Sequence, residues 1–190
     1  MNRLFLLPFL LIISCSSPAS KTDPIVLFTE NGDDWSTEGT AAWSFENDEL
    51  VARLDSGAGF IRSKASFSDF ELTLEFNPDS TINSGVYVRC SGQETTPNDC
   101  YEINIWDLHP NQEYRTGAVV LKANPLAHVT TLNKWNTYRI RCEAGRIQAW
   151  VNGEQTADLK DDTFSGGYIA LQAAEKGEVR FRNIKVENLE

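Results

Sequence analysis

The sequence predicts an all-β domain in which two antiparallel sheets pack face to face. Almost every segment alternates apolar and polar residues with a period of two and is rich in β-branched and aromatic residues, which is typical of half-buried strands. Turn signals separate these segments, and no amphipathic helix of useful length interrupts them. About eleven short strands in one domain favour a sandwich, because each sheet must bury its apolar face against another layer.

The clearest predicted strand spans residues 70–76, FELTLEF, where the phenylalanine and leucine side chains point to one face. Asn152-Gly153 predicts a two-residue hairpin turn, because both residue types tolerate a positive φ. The other predicted strands, in chain order, span residues 43–45, 49–54, 60–63, 85–90, 101–106, 118–121, 136–142, 147–151, 168–172 and 179–186.

The N-terminal segment is predicted to lie outside this fold. A short basic start is followed by an apolar run over residues 4–13, which is too short for a membrane span and fits the core of a signal peptide. Ser14-Cys15, directly after branched aliphatic residues, resembles the bacterial lipobox. The resemblance implies cleavage before Cys15 and lipidation of that cysteine. An ordinary signal peptide with an incidental cysteine is the alternative.

We therefore expect a signal peptide over residues 1–14, a lipidated cysteine and tether over residues 15–23, and one domain over residues 24–190. Such a protein is exported and meets the membrane through its lipid anchor alone. In a Gram-negative cell, Ser16 after the lipidated cysteine indicates the outer membrane or the periplasmic side.

The charge of the chain limits its partners. The formal net charge is −10 at pH 7, from 27 acidic and 17 basic residues. Binding to phosphates calls for a basic face, so this composition argues against a nucleic-acid partner. No CxxC motif or Cys/His spacing suggests structural zinc.

Three cysteines follow Cys15, namely Cys90, Cys100 and Cys142. Export permits disulfides. Cys90 and Cys100 enclose the polar loop SGQETTPND, where one predicted strand ends and the next begins, so they are the expected pair and Cys142 is the expected buried thiol. Pairing of Cys142 with either of the others stays open on the sequence alone.

One predicted strand carries a row of polar and aromatic side chains suited to a sugar. In YEINIW, Glu102, Asn104 and Trp106 alternate with apolar residues and therefore share a face. A carboxylate and an amide can bond sugar hydroxyls, and an indole offers a flat apolar surface to a pyranose ring. A solvated sheet face could carry similar residues, but large aromatic side chains seldom face water without a function.

A series of short segments follows a common order along the predicted domain. They are DW (34–35), WSFENDELV (43–51), DFELTLEF (69–76), NSGVYVR (83–89), YEINIWD (101–107), KWNTY (134–138), WVNG (150–153), IALQ (169–172) and FRNI (181–184). In this order and spacing they resemble the 3-keto-disaccharide hydrolase family, which implies a concanavalin-like jelly-roll sandwich. The resemblance covers residues 24–190, which is essentially the whole predicted domain.

The chain departs from the family pattern at three places. Asn104 stands where the family usually has glutamine, Val120 where it often has tyrosine, and Ala173-Ala174 where it has an Asp-His pair. A role that used this tyrosine or histidine is absent here. His109 and Arg115, in the segment DLHPNQEYRTG, are the candidate substitutes.

The resemblance implies cleavage of 3-keto glycosides. A base removes the proton at C2, which the neighbouring ketone acidifies, a donor stabilises the enolate, and the C1 substituent leaves. Glu102 is the candidate base, Arg89 or His109 the candidate donor to the oxyanion, and Asp107 a candidate to orient His109 or to hold a cation. The candidate substrate-binding residues are Asn83, Asn104, Trp106, Arg115 and Lys122.

Simpler interpretations exist for the same residues. Arg89 could only pair with Glu102 across adjacent strands, and His109 could only end a strand. A glycosidase with two carboxylates is disfavoured, because Glu102 and Asp107 have opposite parity and would not share a face. A divalent cation stays open, since lectin-like sandwiches often hold calcium, although no EF-hand-like loop is present.

Two function classes are therefore expected to use one groove on the outer face of a sheet. The first is an enzyme that acts on an oxidised glycoside or an oligosaccharide. The second is a non-catalytic, lectin-like glycan-binding lipoprotein. A surface adhesion domain without a small ligand is a third, plainer interpretation, which the row of Glu102, Asn104 and Trp106 weakly disfavours.

Overall fold

The computed structural model describes residues 23–27 and 32–189. The described residues form an all-β fold of two antiparallel sheets, which confirms the predicted fold class. No helix in these ranges is long and apolar enough to cross a membrane. The predicted signal peptide and the lipidated Cys15 lie outside the described residues.

The strands follow one another along the chain with short connections, except after β8. They are β1 (Ile25–Val26), β2 (Trp35–Gly39), β3 (Ala42–Glu46), β4 (Glu49–Leu54), β5 (Ala58–Phe67), β6 (Phe70–Pro78), β7 (Ile82–Cys90), β8 (Tyr101–Ile105), β9 (Asn136–Glu143), β10 (Arg146–Val151), β11 (Glu154–Lys160), β12 (Gly167–Glu175) and β13 (Gly177–Asn188). The larger sheet has the order β11-β10-β9-β6-β13-β4-β3, with β1 paired to β13, and the smaller has the order β2-β5-β12-β7-β8. We call these the large sheet and the small sheet.

The large sheet follows the alternation that the sequence predicts. In β6, Phe70, Leu72 and Phe76 are fully buried and face the small sheet, whereas Glu71 and Glu75 lie on the outer face. This pattern of one buried and one wet face is the usual arrangement in a sandwich. The core between the sheets is built from such inward-facing side chains.

The small sheet is buried on both faces at one end. Every residue of β8 is buried, and so is nearly every residue of its neighbour β7. Polar residues that alternate onto the outer face, such as Glu102 and Asn104, are therefore buried too. The loop over residues 91–99 and the segment over residues 106–133 provide the cover. This covered end of the small sheet is where the candidate site lies.

The structure confirms most of the predicted strands and corrects one. Residues 118–121 form a tight turn, in which Val119 bridges Ile103 and Ala123 and Leu121 has a φ of 63°. Strands β1, β2 and β11 are not among those that the sequence predicts. Their outward faces and short lengths give no clear apolar alternation, as in EQTADLK of β11. The predicted hairpin turn is confirmed, with φ of 52° at Asn152 and 86° at Gly153.

The predicted disulfide is confirmed. Cys90 and Cys100 are bonded, and Cys142 is a free, buried thiol. The bond closes the loop between β7 and β8. Arg62 fixes this loop from outside, because its guanidinium donates to the Gln93 carbonyl at 2.9 Å.

Arg89, near the end of β7, connects that strand to several loops through hydrogen bonds and an ion pair. It is fully buried, and its guanidinium forms an ion pair of 2.7 Å with Asp69. The same group donates to the backbone carbonyls of Ser68 at 3.1 Å, Ala144 at 2.6 Å and Phe164 at 3.2 Å. A buried guanidinium with so many acceptors is fully paired. Its role is therefore to hold the structure together.

The predicted catalytic role of Arg89 is wrong, and so is the predicted cross-strand pair with Glu102. Arg89 has a φ of 54°, and the pairing of β7 with β12 shifts register between Tyr168 and Ala170. Such a bulge breaks the period of two and re-aims the side chain. Arg89 therefore turns away from the outer face that Glu102 occupies, which alternation alone could not reveal.

Replacing Arg89 tests this assignment. Arg89→Met is expected to lower the free energy of unfolding by about 3 kcal/mol, because Asp69 and buried carbonyls lose their donor. Arg53→Met is the matched control, since Arg53 pairs with Glu46 and Glu178 in solvent and its loss should cost less than about 1 kcal/mol. Urea unfolding measures both variants. Equal, small losses in the two variants would contradict the assignment.

Candidate functional site

A pocket of about 320 Å³ opens on the outer face of the small sheet at its covered end. We call it the small-sheet pocket. Strands β5, β7, β8 and β12 provide its floor, and the two covering segments provide its walls. Its lining residues are Phe60, Asn83, Tyr87, Thr95, Thr96, Pro97, Glu102, Asn104, Trp106, His109, Val120 and Gln172.

The strand register brings the polar floor residues together. Tyr87 on β7 lies opposite Glu102 on β8, and Gln172 on β12 lies opposite Gly85 on β7. The Glu102 side chain lies over Gly85, and a Cβ at Gly85 would be in van der Waals contact with it at 3.4 Å. Glu102 and Gln172 thus reach toward Tyr87 from the two strands that flank β7.

Glu102 is a carboxyl group held in a nearly dry environment. Glu102 is 6% exposed, and no cation among the described residues forms an ion pair with its carboxylate. Burial raises the pKa of the carboxyl group to about 7, although a hydrogen bond from the Tyr87 hydroxyl acts in the opposite direction. A carboxyl group with this pKa can accept and return a proton at neutral pH.

Three side chains form a hydrogen-bonded chain that ends at this carboxylate. The Gln172 amide nitrogen donates to the Tyr87 hydroxyl oxygen at 3.0 Å, and that hydroxyl bonds to Glu102. Burial and the nearby Glu102 charge raise the pKa of Tyr87, so it stays protonated and donates. The Oε1 atom of Gln172 is buried without a hydrogen-bond partner. It is therefore an open acceptor for a ligand hydroxyl.

Trp106 and His109 form the other side of the pocket. The His109 ring packs edge-on against Trp106 at 4.5 Å and against Tyr114 at 5.6 Å between centroids. The Nδ1 atom of His109 accepts a hydrogen bond of 3.0 Å from the Asn111 amide. In neutral histidine the proton then lies on Nε2, which is the atom left to donate to a ligand.

The structure brings five of the predicted site residues into one pocket, namely Asn83, Glu102, Asn104, Trp106 and His109. Asn104, however, is only 2% exposed, and its amide already bonds to the Tyr114 carbonyl and the Ile105 amide. Asn104 therefore holds the covering segment over residues 106–133 in place, and its amide is not free to bind a ligand.

The predicted role of Asp107 is wrong. Its buried carboxylate accepts hydrogen bonds from the Thr116 hydroxyl at 2.6 Å, the Thr131 amide at 2.6 Å and the Thr131 hydroxyl at 2.9 Å. Through these bonds the carboxylate holds together the covering segment over residues 106–133. Among the described residues, no three His, Cys, Asp or Glu side chains cluster as a metal site requires.

The structure does not bring Arg115 and Lys122, the other two predicted substrate contacts, into the lining of the small-sheet pocket. Arg115 donates to the Val129 carbonyl at 2.6 Å. Lys122 pairs with Asp161 at 2.9 Å and lies 5.8 Å from the Tyr101 ring centroid. Both cations stabilise the wall segment.

Sequence reasoning missed Tyr87 and Gln172. Both belong to segments that the sequence already marks as strands, NSGVYVR and IALQ. The signal for Tyr87 was its place opposite Glu102 in a predicted strand pair. Gln172 could not be placed, because β12 and β7 are far apart in the chain and their register appears only in the structure.

Residues 23–187 match the family model of the 3-keto-alpha-glucoside-1,2-lyase-like domain. The chain belongs to this family. No curated protein gives a significant match. The family assignment covers nearly all of the described chain and agrees with the resemblance seen in the sequence.

Solved structures with the same fold include carbohydrate-related proteins. A "Putative glycosyl hydrolase" from Parabacteroides distasonis is 25% identical with a TM-score of 0.74, over 88% of this chain and 100% of that chain. The carbohydrate binding module CBM66 from Bacillus subtilis is 20% identical, with a TM-score of 0.63 over 82% of this chain and 96% of that one. A Bacillus subtilis protein of unknown function with a galectin-like fold is 15% identical, with a TM-score of 0.61 over 89% of this chain and 97% of that one. The family supports a carbohydrate-related function, and the neighbours under 25% identical show the shared fold.

The buried carboxylate of this lyase-like domain has a measurable effect on stability. Its pKa of about 7 lies above its ordinary 4.5, so the folded state holds the proton more tightly. The resulting stability is fully present below about pH 4.5 and is lost as the pH rises through about 7. Glu102→Gln should therefore raise the free energy of unfolding by about 3 kcal/mol at pH 8 and change it little at pH 4.

Urea unfolding at the two pH values checks this expectation. Glu154→Gln, which removes an exposed carboxylate at the start of β11, is the matched control. If Glu102→Gln changed stability equally at both pH values, the carboxylate would not be desolvated as described.

Proposed function

We propose that this chain cleaves 3-keto glycosides by removing the proton at C2 of the oxidised sugar, with Glu102 as the base. One observation carries the proposal: a carboxyl group that is 6% exposed, with a pKa of about 7, lines the pocket. A base whose pKa lies near the working pH is present in its charged form and still binds the abstracted proton well. The match to the lyase-like family supports the same chemistry.

The number of carboxylates in the pocket favours this reaction over ordinary glycoside hydrolysis. Among the described residues that line the small-sheet pocket, Glu102 is the one carboxylate. Asp107, the next acidic residue along the chain after Glu102, is bound by Thr116 and Thr131. Retaining and inverting glycosidases generally need two carboxylates that flank the bond. A ketone beside C2 removes that need, because it makes the C2 proton acidic enough for one base.

The reaction assigns a step to each group. Glu102 takes the C2 proton, and the electron pair of the C–H bond forms the enolate with the C3 oxygen. His109 Nε2–H is the candidate donor to this oxyanion. The enolate electrons then form the C1–C2 double bond as the C1–O bond breaks, and the leaving alkoxide takes a proton from solvent. Water then adds through its oxygen to C1, which breaks the C1–C2 double bond and forms the enolate again, and the added water gives up one proton to solvent. Glu102 returns its proton to C2.

The remaining groups bind and orient the sugar. The open Oε1 of Gln172 accepts a hydrogen bond from a sugar hydroxyl, and Asn83 lies at the same rim. Trp106 is half-buried and offers its apolar surface to a pyranose ring. Tyr87 donates to Glu102 and so keeps part of the carboxylate charged at neutral pH.

Lectin-like binding without catalysis is the second candidate function. It uses the same pocket, and the open acceptor on Gln172 favours it as much as it favours the enzyme. The two candidates differ in what they ask of Glu102. Only the enzyme needs its carboxylate to exchange a proton.

We also propose that the protein works at the cell envelope. The lipobox-like segment before Cys15 supports export and lipid anchoring. The bond between Cys90 and Cys100 fits an oxidising compartment. Radiolabelled palmitate incorporation that is lost in Cys15→Ser tests the anchor, and labelling that survives this substitution would contradict it.

Release of the aglycone from a nitrophenyl 3-keto-glucoside tests the catalytic proposal. Glu102→Gln is expected to lower kcat by about 100-fold or more, because the base is lost. The wild-type kcat/KM should rise with pH and level off above about 7, where the carboxylate is charged.

Glu71→Gln is the control for this assay, because it removes a carboxylate from the outer face of the large sheet. If Glu102→Gln still released the aglycone at the wild-type rate, the enzymatic function would stand but Glu102 would not be its base. Binding of the glucoside without any release would favour the lectin-like candidate.

The chain from Gln172 through Tyr87 to Glu102 makes a separate prediction. Tyr87→Phe should move the rise of kcat/KM to higher pH, because the Tyr87 hydrogen bond lowers the pKa of Glu102. Gln172→Leu should instead raise KM about tenfold, since the lost acceptor leaves a sugar hydroxyl unpaired. A pH profile that is identical in Tyr87→Phe and wild type would show that this bond does not tune the base.

A further inference from the structure

The outer face of the large sheet carries a second groove, which is separate from the small-sheet pocket. Its volume is about 600 Å³, and it runs across strands β10, β9, β6 and β13. Thr73 and Thr137 form a floor of short hydroxyl side chains. Trp150 stands at one side, with Asn183 and Lys185 at the other. We call it the large-sheet groove.

The register of the sheet orders these side chains in a row. Trp150 lies opposite Arg139, Arg139 opposite Thr73, and Thr73 opposite Lys185. Three strand spacings of about 4.8 Å make this row about 14 Å long. The pairing of β13 with β6 shifts register between Arg182 and Lys185, and such a bulge bends the strand at this edge of the groove.

The groove keeps positive charge on a chain of net charge −10. The guanidinium of Arg139 lies 3.7 Å from the Trp150 ring centroid and forms a long ion pair of 3.5 Å with Glu71. Lys185 has no ion-pair partner among the described residues. Stacking on an indole holds the Arg139 guanidinium in place. The row therefore carries two cations, Arg139 with its one long ion pair and Lys185.

The one acidic side chain of the groove is already neutralised. Glu75 pairs with Arg182 at 2.7 Å and accepts a hydrogen bond of 2.8 Å from Asn183. Its carboxylate is thus bound by its neighbours and repels an incoming anion little. The groove combines Lys185, the stacked Arg139 with its long ion pair to Glu71, threonine hydroxyl groups and an aromatic side chain.

We propose that the large-sheet groove binds an acidic oligosaccharide. Carboxylates of the sugar chain pair with Arg139 and Lys185, and its ring hydroxyls bond to Thr73 and Thr137. A saccharide fits better than an acidic peptide, because the threonine hydroxyl groups of the floor match the ring hydroxyls of a sugar. The carbohydrate family of the chain supports this choice, and the site does not depend on the reaction proposed at Glu102.

Isothermal titration of the purified full chain with oligogalacturonate of five sugars tests the proposal. Binding is expected to weaken with added salt. Arg139→Gln and Lys185→Gln should each weaken it about tenfold, since each removes a charge-assisted hydrogen bond. Neutral maltopentaose should bind far more weakly than the acidic chain.

Two variants distinguish binding in this groove from a diffuse charge effect and from binding in the small-sheet pocket. Arg146→Gln removes a cation from the same outer face of β10 but outside the groove, where it pairs with Asp158 at 2.6 Å. Glu102→Gln alters the small-sheet pocket alone. Both should change the affinity by less than about twofold.

Several results would overturn the proposal. Equal weakening in Arg146→Gln would show a diffuse charge effect, and strong weakening in Glu102→Gln would place the ligand in the small-sheet pocket. Poly-glutamate binding as tightly as oligogalacturonate would replace the saccharide by an acidic peptide. An absence of binding would remove the site and leave the activity on 3-keto glycosides unaffected.

Discussion

The cover over one end of the small sheet is the constraint on which the site depends. A sheet face that would otherwise be wet is closed by the loop over residues 91–99 and the segment over residues 106–133. The disulfide and Arg62 fix the loop. Asp107 fixes the segment by accepting a hydrogen bond from the Thr116 hydroxyl. Without this cover Glu102 would be an ordinary solvated carboxylate.

The same cover creates a conflict between stability and chemistry. Burying Glu102 costs free energy at neutral pH, because the folded state must hold a carboxylate in a nearly dry environment. The Tyr87 hydroxyl reduces this cost with a single hydrogen bond. Active sites often keep such strained groups, and the surrounding core must compensate. Here the compensation comes from the continuous apolar core between two well-paired sheets.

The sequence allowed the fold to be predicted better than the site. Period-two alternation revealed the sandwich, and the positions of Cys90 and Cys100 revealed the disulfide. Prediction from the sequence failed where local geometry breaks the alternation, as at Arg89, whose side chain a bulge turns inward. It also failed where a charged residue serves a loop, as Asp107 does. To place Gln172 in the pocket one must know the register between β12 and β7, which are distant in the chain, and no local sequence pattern contains this register.

The bond between Cys90 and Cys100 has a consequence for how the pocket can diversify. The two cysteines fix the ends of the loop that supplies Thr95, Thr96 and Pro97 to the pocket wall. Lengthening a closed surface loop costs little free energy, because closure entropy grows only slowly with length. Insertions between these cysteines can therefore reshape the entrance for larger or smaller ligands while the floor strands keep their register.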